Sequence, residues 1–479
     1  MRRSISLFIL VLITFCRASS LPKEIQVQSN SNVETIAIIF SLASNGSSSW
    51  PINEIQPVRS DAREVFKSYN EHEAVKIAED LIENGLWLDG MIGVVLHCSP
   101  FPEGVYIHEI EENLYIRASK IDDAVNGKIL IEDFIKAVNR FYIETNVEGF
   151  LNKHENSYTG MLKEVESNLP DNNFINFLEN YYGKENASYT LIPSPIIHKG
   201  QGFGNRISTE KGLKVYNTFA PLIFATDTTT YKFGFDDANQ INELSAHEFG
   251  HSFVNPISNL PQNHEKIDSS SYLYEQIKEL VKYGSWITTV NEHIIRTVEI
   301  RLSIQLSDEK RANRLRNFHT YKRGFVFIPE IETKLIEYEN NRDNYNSLED
   351  YYPILLEAFS EIDSTQMMLK LGKGPLSEVA FVVHSKLISD TSKVYIAGNH
   401  DDLGQWDPGK TVLSNNSNSD WTRRFSFHDG EHIEYKITRG NWDNQAIAND
   451  GSSLGNSILN VNGDTTIVIE IEKWKDQLN

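Results

Sequence analysis

Apolar positions along the chain follow two rhythms. In residues 74–87 they recur at three- and four-residue steps, which predicts an amphipathic helix, and residues 174–182 repeat the pattern. Ile241, Leu244, Phe249 and Phe253 form one broad apolar arc, so a helix is expected there, closed by Pro256. Residues 272–306 read as helix again, with Ile287, Val290, Ile294 and Val298 on the buried side. The apolar run 191–197 holds two prolines and leads into Lys199-Gly200-Gln201-Gly202-Phe203-Gly204. That stretch neither follows a clean strand nor opens a helix, so a flexible loop is expected rather than a phosphate cradle.

After Gly372-Lys373-Gly374-Pro375 the rhythm changes to alternation. Residues 394–397, 425–427, 432–438 and 467–471 are short alternating runs separated by Gly, Asn and Asp clusters, the pattern of a small β-sandwich. The glycine–proline stretch is the natural boundary. The expected layout is 1–20 as a leader, 21–372 as a mixed α+β domain, 373–390 as linker and first strand, and 391–479 as the all-β sandwich. Residues 21–170 give no account of their role; they could shape a cleft or form a separate domain.

The leader is read from Arg2-Arg3, an apolar core over 5–15 and the small residues Ala18-Ser19-Ser20. This is the form of a secretory signal peptide, too short to span a bilayer. A secreted, periplasmic or cell-surface location follows. Cys16 raises a lipoprotein anchor, but Phe15 stands where lipidation signals carry a small residue, which favours cleavage after Ser20. Cleavage would leave Cys98 alone, so no internal disulfide is expected, a bacterial rather than eukaryotic trait of an exported protein. Asn45-Gly46-Ser47 and Asn186-Ala187-Ser188 are then chance matches to a glycosylation acceptor. The net charge is −21, or −24 once Arg2, Arg3 and Arg17 are lost (−21 − 3). That charge opposes binding to DNA, RNA or an anionic membrane.

The predicted helix around residue 247 carries the chemistry. His247-Glu248-Phe249-Gly250-His251 spells HExxH. Residues four apart on a helix differ by about 40° around its axis, so both imidazoles reach one metal from one side. Glu248 is placed to take a proton from a water on that metal. Glu292 and Glu275 both lie downstream as a third ligand, and Arg296, one turn after Glu292, could orient its carboxylate.

His247 to His251 together with Asn291-Glu292 resemble the glutamate-ligand zincins, the gluzincins, in which the third-ligand glutamate follows an asparagine on a later helix. More narrowly, Ser245 to Pro256 resembles the core of an uncharacterised bacterial domain-of-unknown-function family with an HEFxHSFVNP core. The resemblance favours Glu292 over Glu275. It implies a zincin-like α+β catalytic domain, a zinc ion (Zn2+) on His247, His251 and Glu292, and hydrolysis of a protein or peptide. It supplies no proton donor; Tyr345, Tyr351, Tyr352 and His319 are the candidates, each read as structural sooner than catalytic.

The C-terminal runs resemble a starch-binding carbohydrate-binding module through Val394 to Gly398, Leu403 to Pro408, Trp421 and Glu434-Tyr435-Lys436. Carried over, Trp406 and Lys436 belong to a glucan site, with Trp442 standing nearer the lysine than the family's second tryptophan does and Asn456 a further match. Its partner would be an α-glucan or the glycan of a glycoprotein. A catalytically inactive zincin scaffold serving as a carbohydrate-binding surface protein, and a non-peptidase zinc hydrolase, are the competing readings.

Overall fold

The structure is a computed structural model that describes residues 23–43, 56–222, 233–360, 362–389, 391–416 and 419–477. The leader, Cys16 and the Asn45 acceptor lie outside the described residues. Among the described residues no helix is long and apolar enough to cross a membrane.

Two compact units emerge, and neither is a single stretch of chain. The first comprises residues up to His264 with Ile294–Leu306 and Tyr338–Tyr352; the second comprises Glu265–His293, Ser307–Glu337 and the chain from Pro353 onward.

The first unit is helix-rich and encloses a small sheet. Its strands are β1 (Ile25–Val27), β2 (Ser188–Pro193), β3 (Gly202–Thr209) and β4 (Gly212–Phe219), in the order β1-β2-β4-β3. β1, β2 and β4 run parallel, while β3 is antiparallel to β4 and ends the sheet. The glycine-rich stretch expected to be a loop is therefore partly strand: Gly202 and Gly204 open β3. Alternation puts both glycines on one face, where the lack of a side chain lets another element come close.

Residues 31–167 form a succession of helices beginning with Ser31–Leu42, and Glu73–Asn84 is the amphipathic helix expected over 74–87. Val33, Ile36, Leu81, Val94, Ile131 and Phe141 of those helices share one buried core with Ile192, Ile196 and Ile207. They are thus part of the first unit and not a separate domain. Cys98 is a buried free thiol whose pKa burial pushes up to about 12, which makes it inert. Asn186 is buried, and its carboxamide bonds Tyr189 and Ser252, so it cannot carry a glycan in the folded protein.

Two helix boundaries depart from expectation. The Ala238–Ser258 helix runs through Pro256 instead of ending at it. Proline forfeits only its own N–H bond to the carbonyl four residues back, and the Asn259 amide still closes the last turn on Asn255. The helix expected over 272–306 is broken into Tyr274–Val281 and Trp286–Gln305. Lys282 adopts a left-handed φ of 59° there and caps the first piece.

The second unit holds the all-β part. β5 (Leu376–His384), β6 (Val394–Gly398), β7 (Thr411–Asn415), β8 (Asp420–His428), β9 (His432–Thr438), β11 (Ser457–Asn460) and β12 (Thr465–Glu470) follow the order β11-β9-β6-β7-β8-β5-β12, with β10 (Ala446–Ile447) and β13 (Lys473–Trp474) paired separately. β7 changes partner midway: Thr411 to Leu413 pair with β6, while Ser414 and Asn415 pair with β8. Such a switch joins the two layers of a sandwich at a corner. Trp421, Trp474, Phe381 and Ile396 fill the space between them.

Candidate metal centre

The Ala238–Ser258 helix is capped by the Asp237 carboxylate, which accepts from the Gln240 amide, and it is buried along most of its length. His247 and Glu248 are buried and His251 is partly so. One metal-binding atom from each of His247, His251 and Glu292 lies within 4.8 Å of the others. Glu275, the competing ligand, sits exposed on its own helix and bonds Lys278 at 2.8 Å.

Neighbouring groups fix how the imidazoles present themselves. His247 Nδ1 is 2.7 Å from Glu299 Oε1, and His251 Nδ1 is 3.2 Å from Asn255 Oδ1. A carboxylate and an amide oxygen only accept, so each Nδ1 carries the proton and each Nε2 is left as a lone pair. The two Nε2 atoms stand 3.3 Å apart. Two neutral imidazole lone pairs with a buried carboxylate are a donor set that suits zinc. The residues present therefore fit the ion.

Glu299 and Asn255 went unnoticed in the sequence, although the signal was there. Asn255 is one turn beyond His251, and Glu299 is two turns beyond Glu292, on the same helix face. Arg296, expected to orient Glu292, has hydrogen bonds at 3.3 Å to Glu299 Oε1 and at 3.1 Å to His247 Nε2. Gly250 permits the close helix approach: a Cβ there would stand 3.1 Å from Ile295 and 3.2 Å from the Tyr182 hydroxyl.

Glu248 faces β3. A Cβ on Gly204 would lie 3.0 Å from Glu248 Oε2 and 3.1 Å from its carbonyl oxygen, and one on Gly202 would lie 2.9 Å from Leu244. The two glycines thus hold the strand against the carboxylate. A cleft of about 240 Å³ opens beside it, lined by Glu248, His251 and Asn255, by Gly204 to Arg206 of β3, and by residues of the Leu88–Leu96 and Glu112–Ala118 helices. The N-terminal helices accordingly shape the cleft. Arg206 pairs with Glu111 at 2.8 Å, and Arg117 with Asp89 at 3.0 Å, across its walls. None of the four candidate proton donors lines it. Tyr351 and Tyr352 are core residues, the latter bonded to Ser258 at 2.6 Å; Tyr345 stacks edge-on against Tyr351, and His319 is buried.

The second unit carries its own surface site. Trp406, Lys436, Trp442, Gln445 and Asn456 line one open depression. The Trp406 and Trp442 rings are 6.5 Å apart and tilted by 42°. Trp406 has a left-handed φ of 62° and is partly exposed. Lys436 is steadied by the Leu454 carbonyl at 2.7 Å, and Asn456 donates to Glu434 Oε2 at 2.8 Å. Glu434 in turn pairs with Lys322 at 2.9 Å, while Tyr321 stacks on His432 at 3.7 Å.

Comparison with known proteins returns two families. One, described as a domain of unknown function (DUF4932), matches residues 25–358; the other, described as a starch binding domain, matches residues 376–465. No curated protein matches. Among solved structures, the family 20 CBM of a maltotetraose-forming amylase from Pseudomonas saccharophila STB07 is similar at 22% identity, over 19% of this chain and 99% of that one, with a TM-score of 0.15.

Proposed function

The chain belongs to the DUF4932 family and carries a starch-binding domain behind that region, and from this premise we propose that it is an exported, zinc-dependent metallopeptidase of zincin type with an α-glucan-binding module. The observation that carries the reading is the convergence of His247, His251 and Glu292 beside a Glu248 that faces an open cleft. A purely structural zinc site has no use for a carboxylate so placed.

His247, His251 and Glu292 would hold the ion, with Glu299 and Asn255 keeping the imidazoles in the ligating tautomer. Bound zinc supplies Lewis acidity, which makes water a better nucleophile and a carbonyl a better electrophile. Glu248 accepts the proton of the attacking water and later hands it to the leaving amine. β3 favours a peptide as the substrate. It ends the described sheet, so its outer backbone groups can pair with an extended chain drawn past Glu248. In the module, the Trp406 and Trp442 faces pack on glucose rings, while Lys436 and Asn456 donate to hydroxyls.

The test is metal content and peptide hydrolysis of the purified protein beside its Glu292→Ala, Glu275→Ala and Glu248→Gln variants. One zinc per chain, lost with Glu292→Ala only, together with hydrolysis abolished in a zinc-replete Glu248→Gln protein, is the expected result. Full turnover by Glu248→Gln would sink the mechanism.

A further inference from the structure

The cleft beside Glu248 contains two hydrogen-bond acceptors that the described protein leaves unused. His97 is 2% exposed, and its Nδ1 lies 2.7 Å from the Gly93 carbonyl oxygen. A carbonyl only accepts, so Nδ1 bears the proton. Burial holds the His97 pKa below the ordinary imidazole value, so the ring stays neutral and Nε2 is a lone pair. That Nε2 is buried with no hydrogen-bond partner among the described residues. Asn205, on β3, repeats the arrangement. Its Nδ2 donates to the Asp89 carbonyl at 3.2 Å, which fixes the amide and leaves Oδ1 as a buried acceptor, also without a partner among the described residues. Both side chains line the cleft.

Charge points the same way. Arg117 and Arg206 are engaged by Asp89 and Glu111, so neither guanidinium is left on the lining to receive an anion. An acidic side chain would meet two lone pairs and, among the described residues of the lining, no free cation. An apolar one would keep both acceptors buried and unpaired, which a site discriminates against strongly.

The geometry points to a specificity pocket for a cationic, hydrogen-bond-donating side chain, lysine or arginine, of a peptide lying along β3, with His97 Nε2 and Asn205 Oδ1 as its acceptors. This deepens the peptidase reading and rests on it.

N-acetyl-arginine methylamide, its norleucine counterpart and its glutamate counterpart are titrated calorimetrically into the zinc-loaded full chain, and a mixed peptide library is digested in parallel. The arginine probe should bind about tenfold or more tighter than the norleucine probe. Asn205→Leu should erase that preference, and Asn205→Asp, which sets a carboxylate in the same position, should enlarge it. Equal binding of the three probes, or preference for glutamate, overturns the pocket. The library separates the two ideas: cuts without regard to basic residues refute the pocket and keep the peptidase, whereas selective arginine binding without any cuts keeps the pocket and refutes the peptidase.

Discussion

Replacing Glu34 by glutamine should reshape how stability depends on pH. Glu34 sits in the Ser31–Leu42 helix, 1% exposed, with the Tyr158 hydroxyl donating to Oε2 at 3.0 Å. Burial pushes its pKa from 4.5 up to about 8, against the opposing pull of hydrogen bonds from Ser194 and Tyr158. The folded protein therefore keeps this proton at neutral pH, while the unfolded chain gives it up above 4.5. The favourable contribution of neutral Glu34 is complete below that value and is lost as pH climbs towards 8, at about 1.4 kcal/mol per unit. Between pH 5 and pH 8 the loss sums to about 3–4 kcal/mol. Glutamine does not titrate, although its amide hydrogens need partners the carboxyl did not, at a cost of about 1–3 kcal/mol. Glu34→Gln should thus be the less stable protein near pH 5 and should gain steadily on the wild type up to pH 8. Urea unfolding followed by the helix signal at 222 nm, at half-unit pH steps, measures the difference. Parallel stability curves for the two proteins would refute a buried, neutral Glu34.

Other sites give sharper local tests. Glu299→Gln removes the carboxylate that fixes the His247 tautomer, so zinc affinity in a chelator competition should fall by about 10–100-fold with the fold intact. Gly204→Ala drives a methyl against the Glu248 carboxylate; peptide turnover should drop by about tenfold or more while metal content stays at the wild-type level. Trp406→Ala deletes one of the two rings of the surface depression. Retention on insoluble starch should collapse with the melting temperature unchanged, and a falling melting temperature would instead make Trp406 a structural residue.

The legible parts of the sequence were those whose spacing alone fixes a geometry. Two histidines four apart needed only the helix to share a face, and the 394–397, 425–427 and 432–438 alternations needed only the pleat; strands cover all of them. Glu299 matters solely through what its helix meets, so its spacing from Glu292 carried no meaning until the His247 contact was seen. The first described helix was obscure for another reason. Ser31–Leu42 is buried almost all round, which erases the polar–apolar contrast that marks a surface helix. Gly202 and Gly204 misled because glycine weakens a strand pattern and also permits the closest backbone approach. The corner made by β7 lies in pairing, which no single strand's residues declare.

The bracing of Glu434 bears on how far the β-sandwich is an exchangeable part. One wall of its surface depression depends on Asn456, which leans on Glu434, which is held by Lys322; Tyr321 roofs the adjoining His432. Lys322 and Tyr321 belong to the Phe318–Lys322 turn, well upstream of the first strand at Leu376. A fragment cut at the start of the strands would keep both tryptophans yet lose this support. Its grip on a ligand would then be inherited only in part. The sandwich leans on its neighbour in the chain, and grafting it onto another protein would mean carrying residues 307–337 along with it.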